Sequence, residues 1–128
     1  MTLNEQARDR YGRPLRGDLE SAVPNIAERT DISTHEAWSQ AIDFVMRDFP
    51  FHAHETFEQR WRCCPEAERT CWKALAQWAA ALTQRARENP TGAKANAGKS
   101  LANLNAADLI PEPVDEEHVR GSLAELLR

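Results

Sequence analysis

The chain of 128 residues is poor in several residue types, and each shortage excludes a class of protein. It has three cysteines, Cys63, Cys64 and Cys71, an odd number with two adjacent, which does not build a disulfide framework. None of them forms a C-x-x-C pair, so a thiolate zinc site lacks its ligand set. The five glycines are scattered and make no phosphate-cradling loop. There is no excess of positive charge: 16 Lys and Arg face 20 Asp and Glu, for a net charge of -4. A general basic surface for nucleic acid is therefore not expected. No run approaches the roughly 18 apolar residues of a membrane span. The first residues lack the apolar core of a signal peptide, and the expected location is the cytoplasm. Apolar and polar residues nowhere alternate as in a half-buried strand. Asn89-Pro90-Thr91 is no glycosylation acceptor, because proline stands in the middle.

What is present is an ordinary globular composition, 41% hydrophobic and 28% charged, of a length that suits one core. Residues 1–31 are polar and broken by glycine and proline, with a short helical pattern at "DLESAVPNIAER"; they read as a partly ordered N-terminal arm. The first clear helix begins after Ser33, an N-cap with Glu36 three residues on, which together make a capping box. Ile32 and Ala37 occupy the staple positions. Trp38, Ala41, Ile42, Val45, Met46 and Phe49 follow at helical spacing. A second helix starts at Pro50 or Phe51 and runs to about Arg62. A third, the longest, is expected from Pro65 to about Arg87, with Cys71, Leu75, Trp78 and Leu82 on one face and Trp72, Ala79 and Ala86 beside it. A fourth carries Ala93, Ala97, Leu101 and Leu104. An extended segment leads to a short last helix with Val119, Leu123, Leu126 and Leu127. The fold expected is all-α, a compact antiparallel bundle of about four to five helices, with 32–106 as its core and 107–128 as an appended segment and helix.

The second helix holds the chemistry. At about 100° per residue, Phe51, His54, Glu55, Phe57, Glu58 and Trp61 fall within about 160° of one another. The apolar residues fix the buried side, and His54, Glu55 and Glu58 lie inward with them. His54 and Glu58 are one turn apart and can meet. Carboxylates there need partners or a cleft. Three uses remain open: a hydrogen-bond network, with Trp61 donating to Glu58; a divalent metal or small-ligand site built on His54 and Glu58; or acid–base catalysis of a hydrolytic kind. Further ligands would come from Gln77, His35 or Glu36. His52, two residues from His54, points elsewhere on a helix and reads as solvent-facing, and His118 as a surface residue. One of Cys63 and Cys64 could be reactive near the third helix's dipole, but no base stands beside either.

The run Ala53-His54-Glu55-x-x-Glu58-x-x-Trp61, followed by Leu75-x-Gln77-x-Ala79-Ala80 and then Gly92-Ala93, resembles the bacterial domain-of-unknown-function family 309 across about Thr34 to Leu104. The resemblance implies a compact helical bundle and groups His54, Glu55, Glu58, Trp61 and Gln77 as one polar cluster. It implies no activity. His52 stands where that family more often has glutamate. Two functional classes follow: a metal- or small-ligand-binding protein, or a non-catalytic interaction domain with a protein partner. A homo-oligomer is compatible with either.

Overall fold

The computed structural model describes residues 31–128; all but the last residue of the expected N-terminal arm lies outside them. Five helices follow in order: α1 (Thr34–Met46), α2 (Pro50–Cys63), α3 (Arg69–Ala86), α4 (Pro90–Ala106) and α5 (Glu116–Leu126), with one 3-10 turn at Glu66–Glu68. No strand occurs among the described residues.

Local chemistry sets the helix ends. Ser33 Oγ accepts from Glu36 N–H, and Glu36 returns the bond to Ser33 N–H, both at 3.1 Å, closing the capping box. Asn89 and Asp115 cap α4 and α5 by accepting from Gly92 and His118 N–H. Helices α1 and α3 end alike. Past the end of α1, Phe49 N–H bonds Phe44 C=O and Asp48 N–H bonds Val45 C=O; past α3, Asn89 bonds Gln84 and Glu88 bonds Arg85. These are Schellman turns. The left-handed residue is Asp48 (φ 65°) in one and Glu88 (φ 62°) in the other, where glycine is usual. A proline two residues later opens the next helix in both cases. The chain thus builds two hairpins, α1–α2 and α3–α4, through Arg47-Asp48-Phe49-Pro50 and Arg87-Glu88-Asn89-Pro90.

Helix α3 is the centre. It packs on α4, then α2, and α5 closes against α3 and α4. Trp72, Leu75 and Trp78 are its large buried residues, and Phe57 of α2 rests against both tryptophan rings at 6.1 and 6.2 Å. On α4 the buried positions are Ala93, Ala97, Ser100 and Leu104, so its approach is close; Ser100 Oγ donates to Ala74 C=O at 2.7 Å. Val119, Leu123 and Leu126 of α5 join this same core.

Four expectations need correction. The α-helical ladder of the third helix starts at Arg69, not Pro65. Pro65 is extended (ψ 152°), and a 3-10 turn tightens the approach, as is common at helix starts. Met46 is 74% exposed, because the buried side of α1 centres on Ala37, Trp38 and Ala41, about 130° round the helix. Leu101 is half-buried and Ser100 takes the inward place. Leu127 is exposed past the end of α5.

Candidate metal centre on α2

The buried face of α2 consists of Pro50, His52, Ala53, Thr56, Phe57 and Gln59. This lies about 150° from the side that the aromatic residues suggested. Phe57 alone is shared. Helices α1 and α3 grip α2 through its small and mid-sized residues, while Phe51 and Trp61 are only half-buried on the outer side. Thr56 satisfies its hydroxyl internally by donating to His52 C=O at 3.0 Å. His52 is the clearest reversal: it is 2% exposed and sits among the rings of Phe44, Phe49 and Phe51 at 5.4 to 6.1 Å. It is a packed core residue.

The cluster of His54, Glu55 and Glu58 does form, but on the outer rim. Their side chains are 23%, 41% and 37% exposed. Ligand atoms from the three lie within 4.8 Å of one another. The imidazole stands between the carboxylates: Nδ1 is 3.7 Å from Glu55 Oε2, and Nε2 is 3.5 Å from Glu58 Oε2. The second contact is the i, i+4 geometry of one helical turn. The other oxygen of Glu58 is 3.9 Å from Arg62 Nη1. The Phe51 ring lies 6.0 Å from the imidazole.

The remaining expected members divide. Trp61 is one turn beyond Glu58 but does not donate to it. Its indole N–H is shielded from water and has no hydrogen-bond partner among the described residues, and Arg69 lies over the ring at 4.4 Å. Gln77 belongs to another interface, where its Oε1 accepts from Asn103 of α4 at 2.7 Å. Glu36 serves the cap of α1, His35 is exposed, and His118 is exposed with its ring against the edge of Trp78. Burial pushes the Cys64 thiol above its ordinary value, and pushes Cys71 up to about 12, so neither is an activated nucleophile. A shallow groove of about 350 Å³, lined by Val45, Asp48, Pro50, Leu82, Arg85 and Ala86, lies at the α1–α2 turn, away from the cluster.

Sequence reasoning missed a second polar centre. Arg60 reaches Ile32 C=O at 3.0 Å, Thr34 Oγ1 at 2.7 Å and Glu68 Oε1 at 3.2 Å. The same Glu68 oxygen accepts from the Trp72 indole N–H at 2.9 Å. This centre joins the start of α1, α2, the 3-10 turn and α3. Its local signals are Glu68 four residues before Trp72 and eight after Arg60; the contacts of Arg60 with Ile32 and Thr34, and of Thr34 with Glu68, span 26 to 34 residues. Arg60 therefore has a structural post on α2, while His54, Glu55 and Glu58 stay partly exposed.

The family model described as Domain of unknown function (DUF309) matches residues 38–96, from Trp38 in α1 to Asn96 in α4. The match is narrower at both ends than the motifs suggested, and it includes all of α2 and α3. Comparison with curated proteins and with solved structures finds no match.

Proposed function

We propose that this chain, similar over residues 38–96 to a domain of unknown function, is a divalent-cation-binding protein whose ligands are His54 and Glu58. The observation that carries the reading is the 3.5 Å between His54 Nε2 and Glu58 Oε2. Two donors bound to one tetrahedral ion at about 2.1 Å each stand about 3.4 Å apart. The pair thus needs almost no rearrangement to accept an ion. Glu55 fits the outer role: a ligating histidine commonly gives its other ring N–H to a carboxylate, which holds the tautomer and orients the ring. Glu55 Oε2 faces Nδ1 at 3.7 Å, and Nδ1 is shielded from water and has no hydrogen-bond partner among the described residues. Arg62 near Glu58 opposes binding, since it competes for the same carboxylate. Two protein ligands leave coordination positions for water or another donor, and bound water is the species a hydrolytic activity would use.

A second reading has its own observation. An imidazole placed between two carboxylates is also what an ion-pair network looks like, and an interaction domain needs nothing more of it. Metal content separates the two. Protein purified without a metal-binding tag is assayed for bound ions and titrated with Zn²⁺, Mn²⁺ and Co²⁺, for wild type, His54→Ala, Glu58→Gln and Glu55→Gln. The cation reading expects binding lost in the first two variants and weakened about 10–100-fold in the third, the usual cost of removing an outer-shell partner. Equal binding in wild type and in folded His54→Ala would refute it.

A further inference from the structure

We propose that the bound ion and Arg62 together take a phosphate group, carried by a small molecule or as free phosphate. This rests on the cation reading above and names the ligand for the coordination positions that His54 and Glu58 leave open.

The order of residues along α2 carries the argument. His54, Glu58 and Arg62 recur every four residues, so successive members are about 6 Å apart along the axis and about 40° apart round it. Glu58 stands in the middle and turns one oxygen to each neighbour. Its Oε2 is 3.5 Å from His54 Nε2, and its Oε1 is 3.9 Å from Arg62 Nη1. The second contact is too long for a hydrogen bond, and no other described residue accepts one from Arg62. Arg60, two residues earlier, donates three. The Arg62 and Glu58 side chains are 56% and 37% exposed. Arg62 thus holds its N–H donors in reserve one turn from the place where the ion binds.

Charge and oxygen count select the ligand. With an ion on Glu58 Oε2, one carboxylate faces a divalent cation on one side and a guanidinium on the other. Glu55, across the imidazole, offsets only part of that positive charge. An anion that touches both cations relieves their repulsion. A guanidinium fork takes two oxygens of one group in parallel bonds, and the ion takes a third. A carboxylate has only two. A phosphate monoester has three terminal oxygens and a charge of about −1.5 to −2. Arg62 in the last turn of α2 also suits the helix dipole, but lysine would serve that purpose equally, whereas the fork needs arginine.

The test is calorimetric titration of inorganic phosphate, methyl phosphate and acetate into the full chain. The protein is loaded with whichever of Zn²⁺, Mn²⁺ and Co²⁺ binds most tightly, or is stripped with EDTA and dialysed. Wild type, Arg62→Gln and Arg62→Lys are compared, each checked for fold by circular dichroism and for bound metal. Phosphate should bind only the loaded wild type, about tenfold or more tighter than acetate. Arg62→Gln should raise the phosphate dissociation constant about tenfold or more, the cost of losing charged hydrogen bonds. The same variant should hold the metal at least as tightly as wild type, because the competitor for Glu58 is gone. Arg62→Lys should lose part of the phosphate affinity. Methyl phosphate binding as well as inorganic phosphate would assign the site to monoesters, and inorganic phosphate alone would assign it to the free ion; either supports the proposal. Metal bound without phosphate would overturn it and leave the cation reading standing. So would phosphate binding that is unchanged in Arg62→Gln or in stripped protein, or acetate bound as tightly as phosphate. If none of the three ions binds, both readings fall.

Discussion

Replacing Glu68 by alanine should destabilise the fold more than any change in the His54 cluster. Glu68 and Arg60 are each only 13% exposed. A single Glu68 oxygen receives Arg60 at 3.2 Å and the indole N–H of Trp72 at 2.9 Å, and Trp72 is fully buried. Removing one partner of a buried pair costs about 3–5 kcal/mol when the other charge is left alone. Arg60 is not left alone, since Ile32 C=O and Thr34 Oγ1 remain. That lowers the ionic part to about 1–2 kcal/mol, near the value of a charged hydrogen bond. The stranded indole N–H adds about 1–2 kcal/mol of desolvation. The expected sum is about 3 kcal/mol, a large share of the stability of a domain this size. Glu68→Gln keeps an acceptor for the indole and should cost about half as much. Urea unfolding followed by circular dichroism gives both values, with the slope unchanged. A cycle with Trp72→Phe isolates the indole part: with the donor gone, Glu68→Ala should cost about 1–2 kcal/mol less. Glu58→Gln, at a half-exposed ion pair, should cost under about 0.5 kcal/mol. If Glu68→Ala cost no more than Glu58→Gln, the account of this centre as the joint between α1, α2 and α3 would be wrong.

Two further outcomes follow from the backbone and from burial. Glu88→Gly should stabilise the protein by about 0.5 kcal/mol, because relief of left-handed strain of about 1–2 kcal/mol exceeds the entropy cost of glycine. Asp48→Gly should gain less, since aspartate tolerates that region better; a thermal scan of both variants ranks them, and a loss at Glu88 would contradict the turn assignment. Burial, then the charges of Glu68 and Glu116, raise the Cys71 thiol from 9.0 to about 12, so the folded state holds that proton more tightly than the unfolded one. The stability linked to Cys71 is complete below the unfolded value of 9.0 and is lost as pH rises from 9.0 towards 12. Urea midpoints of wild type should therefore fall more steeply above pH 9 than those of Cys71→Ala, and parallel curves would refute the burial argument.

Much of this protein was decided by interactions within a few residues, and those were legible directly. The Ser33–Glu36 box, the prolines that open α2 and α4, and the one-turn pairing of His54 with Glu58 involve neighbours three or four positions apart, so backbone geometry places them whatever the rest of the chain does. The tertiary structure decided which side of α2 is inside. Periodicity measures amphipathic contrast, and here the contrast misled: Phe51 and Trp61 are large but peripheral, while Ala53, Thr56 and a caged His52 fill the narrow space between α1 and α3. Thr56 and His52 carry polar atoms that no hydropathy pattern assigns to a core, and only their surroundings make burial affordable. The same holds for Arg60 with Ile32 and Thr34, and for Gln77 with Asn103, whose partners are far off along the chain. The residue types of the candidate site were thus in the sequence. Their place on an open rim rather than in a closed core came from packing, because packing volume, not hydrophobicity alone, selects which residues lie between two helices.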